Sequence, residues 1–236
     1  PVDSKWAISP RIGVSHPISE NSKLYFNYGH FYQRAPYDEV YRQRWYQRGS
    51  SGAELRAYGN PNVDMAKTVA YELGFEQNIL DQFSVRVAGY YKDITNELIT
   101  IRYQGKTGSI RYDQPDNNGY RDIRGFEISL EKRAGRFLTG FINYDYMILS
   151  SGRIGLNRIY EDPTVAPRYY DPEQAQPVAQ PRFRAMLNFN TPHDEFGPQL
   201  AGFYPLAFLN ANLLFRWNAG SYFTYNPEDR EGVENN

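Results

Sequence analysis

Apolar residues fall on every second position through most of the stretch from Val69 to Asp93. Val69, Tyr71, Leu73 and Phe75 lead to a polar break at Asn78–Gln82, and Phe83, Val85, Val87, Gly89 and Tyr91 follow it. The positions between them carry Glu72, Glu76, Arg86 and Lys92. A period of two marks a β-strand with unlike faces, and two such runs around a short polar break predict a hairpin. The same rhythm recurs at Trp6–His16, Lys23–Tyr32, Tyr120–Lys132, Phe137–Leu149, Arg182–Asn190 and about Leu206–Tyr222. Helical periodicity is poor almost everywhere. The chain reads as all-β, with about eight up-and-down strands.

The connections add a second pattern. Pro17–Ser22, Asn78–Gln82 and Arg133–Arg136 are short, whereas Gln33–Lys67, Ile94–Gly119 and Ser150–Pro181 are long. Short and long alternate, and only Thr191–Pro205 is longer than a tight turn where a short one is due. A soluble sandwich has no reason to sort its loops by length. An outer-membrane barrel has one, with short periplasmic turns and long external loops. Strands of about 10 residues suffice to cross the hydrocarbon when tilted. Leu73, Phe75, Val85, Val87, Ile128, Leu130, Leu213 and Phe215 are then expected to face lipid. Arg11, Glu72, Glu76, Arg86, Glu127, Glu131, Asp145, Arg184 and Arg216 are expected to face a lumen, or a plug within it, and Ala88 to have free space there. Eight strands closing alone would leave a lumen filled by side chains, a poor place for so many charges. The chain is therefore expected to be an open, curved arc of a larger cylinder, with Trp6–His16 and Leu206–Tyr222 not paired to each other.

Composition narrows the classes. Formal net charge is −1 over 236 residues, which offers no electrostatic case for nucleic acid. There is no cysteine, so there is no disulfide framework, thiolate metal site or cysteine nucleophile. Tyr is abundant, at 21 residues, as suits strands and membrane-interface girdles. Mean hydropathy is −0.68, and no run approaches the ~20 apolar residues of a membrane helix. A barrel is compatible with both, because only alternate strand residues meet lipid. The opening PVDSKWAISP has no basic n-region or apolar core, and is not expected to be a signal peptide.

At Gly59–Glu76 the sequence GNPNVDMAKTVAYELGFE resembles the outer-membrane TonB-dependent receptors. Gly59, Asn60, Pro61, Lys67, Tyr71, Glu72, Gly74 and Glu76 fit the family's wall segment, while Met65 and Ala66 stand near the place of its usual Pro-Glu pair. Ile8–Pro36 resembles the family's paired wall strands, and NNGYRDIRGFEISLEKR (Asn117–Arg133) resembles a further strand start. The resemblance implies a 22-stranded barrel around an N-terminal plug, energised through TonB, taking up a siderophore, cobalamin, glycan or peptide. It implies a place in the Gram-negative outer membrane, contact with lipid, and a possible surface lipoprotein partner. Residues 1–236 would form a partial barrel wall, with the plug absent from this chain. No enzymatic activity and no cofactor are implied.

The segment Arg34–Tyr58 is dense in Tyr, Arg and Trp, and Arg34, Tyr37, Tyr41, Arg42, Arg44, Trp45 and Tyr46 are candidate ligand contacts. Aromatic faces and guanidinium forks can grip a ligand there. Tyr169 and Tyr170 form a second, weaker candidate group. Local pairing within the loops explains the same composition. Asp113–Gly119 lacks the calcium-loop spacing and reads as a turn before a strand. His16, His30 and His193 share no metal spacing, and no Ser–His–Asp order is suggested, so catalytic and metal residues are expected to be none. Two other readings remain open: a small complete barrel acting as an adhesin or structural protein, and a soluble sugar-binding β protein.

Overall fold

The computed structural model describes residues 2, 4–47, 53–106, 110–162, 175–192 and 196–220. Eight strands form one antiparallel path: β1 (Arg11–Ser19), β2 (Ser22–Gln33), β5 (Ala66–Ile79), β6 (Phe83–Gln104), β7 (Arg111–Lys132), β8 (Leu138–Arg153), β10 (Val178–Asn190) and β11 (Asn210–Asn218). Three short strands stand off that path: β3 (Gln43–Gln47), β4 (Ala53–Tyr58) and β9 (Arg158–Tyr160). One short helix, α1 (Tyr37–Tyr41), precedes β3. Among the described residues β1 and β11 are not hydrogen-bonded to each other, so the path is open at both ends, as expected.

The register keeps the two faces apart. Phe75, Val87, Ile128, Tyr144, Phe183 and Trp217 are successive cross-strand partners and form one apolar row. The row of Glu76, Arg86, Ser129, Asn143, Arg184 and Arg216 lies on the other face. From Tyr71 to Ile79 the apolar face of β5 spans eight steps of ~3.3 Å, about 26 Å along the strand. Nine residues is about the length with which a tilted strand crosses the hydrocarbon. One edge of this apolar band carries an aromatic belt, with ring centroids 5.1 Å apart for Tyr28–Tyr71 and 6.4 Å for Tyr71–Tyr91. At the other edge the Lys132 ammonium lies 4.4 Å from the Phe83 ring centroid.

Several boundaries differ from the sequence expectation. β1 starts at Arg11 rather than Trp6, just after Pro10, whose carbonyl accepts from His30 N–H. β11 spans Asn210–Asn218, within the Leu206–Tyr222 expected, and Leu206–Leu209 belong to the preceding turn. The larger correction concerns Ile94–Gly119. It is no loose loop: β6 and β7 run 22 residues each and form a tall hairpin. Asp113–Gly119 lies inside β7, not in a turn before it. Register shifts at Ile94, Glu97 and Ile99, with Asn96 at φ 58°, keep the ladder continuous across this stretch. Such bulges place unpaired residues in a strand and bend it. Ala88 is 3% exposed and lies at the wall of a concavity of about 540 Å³ on the charged face.

Candidate functional site

Every charge expected on the lumen face lies on the charged side of the register, and most have partners. Arg86 lies 3.5 Å from Glu72 and donates to the Tyr25 hydroxyl at 2.9 Å. Glu76 pairs with Lys23 at 3.1 Å, and Glu131 with Arg133 at 2.9 Å. Asp145 accepts from the Tyr90 hydroxyl at 2.9 Å. The Arg11 guanidinium stands 4.5 Å over the Phe31 ring. Glu127, Arg184 and Arg216 line a concavity of about 540 Å³ with Tyr90, Asp145 and Arg182. Arg184 and Arg216 are direct cross-strand partners, an arrangement of like charges that favours a facing anion.

Two residues gain a role that the sequence reading missed. Tyr25 sits opposite Gly74, leans over it and reaches Arg86 on the third strand. Tyr90 sits opposite Gly125, leans over it and reaches Asp145 on the third strand. The two bridges have the same offset in register. The readable signal is a Gly on the polar face of one strand with a Tyr on the polar face of its neighbour. Lys23, Glu97, Arg121 and Arg182 were also overlooked on this face; Arg121 pairs with Glu97 at 2.8 Å.

Beyond the aromatic belt the same sheet is extended by strands from the long connections, in the local order β3–β4–β7–β6–β9, with β4 and β7 joined at Ala57 and Asp113. One register row across it reads Arg44, Ala57, Asp113, Arg102 and Arg158, with Arg111 two residues further along β7. Arg102 grips Asp113 through two hydrogen bonds, 2.8 and 3.1 Å, and that bond holds the guanidinium pKa above its usual value. The opposite side of this sheet continues the lumen face: Gly119 approaches both Glu97 and Ile99 there. It carries Ile101, which is 1% exposed, and the stacked pair Tyr103–Tyr112, with centroids 5.0 Å apart and planes 9° apart. Burial, then Asp116 and Tyr112, pushes the Tyr103 phenol pKa up.

The segment after β4 clamps this crown to the wall. Asn60 donates to Pro115 O at 3.1 Å, and Gln114 donates to Gly59 O at 3.3 Å. Asn117 accepts from Asp64 N at 2.6 Å and donates to Asp64 O and Asn96 O at 3.1 and 2.8 Å. A Cβ at Gly59 would fall 2.5 Å from Val40 O, so only glycine fits.

The expected ligand contacts are spread around this crown. Arg34 is exposed just after β2. Tyr37 and Tyr41 stack on α1 with centroids 6.3 Å apart, and both are open to solvent. Arg42 is held by Glu39 at 2.8 Å and Asp38 at 3.7 Å. Arg44, Trp45 and Tyr46 lie on β3, with the Arg56 guanidinium 5.1 Å over the Tyr46 ring. Tyr169, Tyr170 and His193 lie outside the described residues. His16 is on β1, and His30 Nε2 lies 2.6 Å from the Tyr28 hydroxyl. No group of three or more His, Cys, Asp or Glu among the described residues is placed to hold a metal ion.

A long-strand wall with one lipid-type face, a charged inner face and a crown of joined loops matches the family described as TonB dependent receptor-like, beta-barrel, over residues 1–235. The chain belongs to the TonB-dependent receptor β-barrel family. Similar solved structures include the siderophore receptor PirA from Pseudomonas aeruginosa, at 18% identity over 77% of this chain and 33% of that one, TM-score 0.48. The ferric enterobactin receptor PfeA matches at 14% identity over 88% of this chain and 39% of that one, TM-score 0.48. The copper transporter OprC matches at 14% identity over 88% and 39%, TM-score 0.40. No curated protein sequence matches. The chain spans between a third and two-fifths of the length of these structures. TonB-dependent receptors of this kind sit in the Gram-negative outer membrane, and so does this chain; the reading as a soluble sugar-binding protein falls. Short turns of such barrels face the periplasm and long loops the exterior, which puts the crown outside the cell.

Proposed function

We propose that this chain is one part of the wall of a larger TonB-dependent barrel that takes up a bulky nutrient by energised transport and catalyses no reaction. The observation that carries this reading is the crown. Three long connections, which could each wave freely in water, are joined into one sheet standing over a charged lumen. That is the form of a ligand-capturing mouth. Its lumen-side face offers Tyr103 and Tyr112, and Arg34, Tyr37, Tyr41, Arg44, Trp45 and Tyr46 surround it. The arginines at 44, 102, 111 and 158 are matched by Asp38, Glu39, Glu97, Asp113, Asp116 and Glu161 in the same connections, so charge does not choose among siderophores, cobalamin, glycans and peptides. The unpaired outer strands fit a wall continued by further strands, and Glu127, Arg184 and Arg216 fit contact with a plug of the same protein. Outer-membrane lipid, the plug, TonB and a surface lipoprotein are the partners on this reading.

Uptake tests it. Cells lacking the full-length receptor are given labelled ferric siderophores, cobalamin, oligosaccharides and peptides, with and without a protonophore. Loss of uptake of one of these, protonophore-sensitive in the parent strain, is expected. Unchanged uptake of the whole panel would overturn the reading.

A further inference from the structure

We propose that residues 196–209, the uncharged part of the periplasmic connection between β10 and β11, form an interfacial anchor whose apolar tip inserts into the phospholipid leaflet on the periplasmic side of the outer membrane. The other three periplasmic reversals are short and charged: Glu20–Asn21, Leu80–Gln82 with Asp81, and 133–137 with Arg133 and Arg136. This one, 191–209, is longer; it carries Asp194 and Glu195, and the stretch that follows them, Phe196–Leu209, has no Asp, Glu, Lys or Arg. Its apolar side chains are not folded away. Phe203 is 58% exposed and Leu200 56%. A contiguous apolar patch of that kind marks contact with another apolar phase.

The tip is shaped rather than loose. Leu200 and Phe203 exchange backbone hydrogen bonds of 2.9 and 3.0 Å around Ala201 and Gly202, both at positive φ. A two-residue hairpin of this kind sets its flanking side chains next to each other. The base is fixed as well. The Thr191 hydroxyl accepts from Leu209 N at 2.8 Å, Phe208 N–H donates to Pro192 O at 3.2 Å, and Phe196 packs on Phe137 at 5.4 Å.

What covers the patch follows from where it is rooted. Thr191 and Leu209 directly flank β10 and β11, at the membrane edge where the neighbouring turns reverse. Leu209 has the same parity on its strand as Ala211, Leu213, Phe215 and Trp217, which belong to the lipid-facing side. The connection thus enters β11 on its lipid-facing side, at Leu209. Uncharged Phe and Leu side chains at that depth suit the boundary between headgroups and acyl chains, where interfacial segments bury their apolar face.

The test uses the full-length receptor reconstituted in phosphatidylethanolamine–phosphatidylglycerol vesicles. The chain has no cysteine, so Phe203→Cys can carry one nitroxide label, with Phe208→Cys as a second position should the first disturb assembly. Val87→Cys and Asp81→Cys report the lipid face and the aqueous turn. Collision rates are read with oxygen and with a nickel chelate. The expected result at position 203 is strong oxygen collision and a nickel rate at least fivefold below that at position 81. Nickel access equal to position 81 would overturn the proposal. Poor access to both reagents would overturn it too, since it would mean that protein, such as a plug, covers the tip. Neither outcome depends on which nutrient the receptor carries.

Discussion

At the scale of single residues, the inner face is held by tyrosines that lean across glycines. A Gly→Ala change in a strand usually helps, because glycine has excess backbone freedom to lose. Here it should harm. A Cβ at Gly74 falls on the Tyr25 ring, so Gly74→Ala must displace that ring and break its bond to Arg86. Overpacking of this size costs about 1–3 kcal/mol, which a shift in urea midpoint in lipid vesicles would report. Adding Tyr25→Ala should recover part of that loss. Gly125→Ala should recover less from Tyr90→Ala, because its Cβ also meets the backbone oxygen of Tyr146, which cannot be removed. Equal rescue at both sites would refute this account. The sequence showed which face each of these residues occupies, since a period of two fixes parity. It did not show the bridges, because reach across three strands depends on register, and register is set by pairing with distant segments.

At the scale of elements, the tall β6–β7 hairpin is where sequence and structure part. Ile99, Ile101 and Tyr103 alternate with Thr100, Arg102 and Gln104, so a strand was legible there. Pro115 and the run of Asp and Asn residues argued against one. The structure reconciles them through bulges and through side chains that satisfy the displaced backbone. Asn117 has the largest share of that work, joining Asp64, Asn96 and the wall below. Asn117→Ala should loosen the crown by about 0.5–1.5 kcal/mol, the net worth of a hydrogen bond that water can replace. Hydrogen exchange should then rise across 96–116 and 59–64 and stay unchanged in 69–76. A uniform rise would mean that the crown and the wall open together. The sides of the membrane can be checked on the same element. Lys106, exposed at the hairpin tip, should react with an impermeant amine reagent on intact cells. A cysteine at Asp81 should react only after permeabilisation.

At the scale of the whole molecule, the separation of lipid and lumen faces governs what the wall tolerates. Val87→Arg places a charge in the middle of the apolar band, where the cost is about 2–4 kcal/mol. Asn143→Glu places a charge on the rim of the lumen concavity, opposite Arg184, and forfeits one hydrogen bond to Ser129, about 1 kcal/mol. Assembly into heat-modifiable barrel should fall for the first and hold for the second. The same separation bears on closure. Among the described residues β1 and β11 each present nine residues of strand with one unpaired side. In hydrocarbon an unpaired backbone edge is not viable, because no water is present to satisfy its N–H and C=O groups. Either the two edges meet and close a narrow barrel, or other strands cover both. A narrow barrel would force Glu72, Arg86, Glu127, Asp145, Arg182, Arg184 and Arg216 into one side-chain-filled core, where each ion loses several kcal/mol of hydration. Other strands covering both edges is the expected answer. It can be read by cysteine pairs in the full-length receptor, with Gly13, Ser15 or Pro17 set against Asn212, Leu214 or Arg216, all on the inner face. None should form a disulfide, whereas Ser129→Cys with Asn143→Cys, direct cross-strand partners, should do so readily. A bond between the first and last strands at the yield of that control would mean that these strands close on themselves, and the larger wall would have to be abandoned.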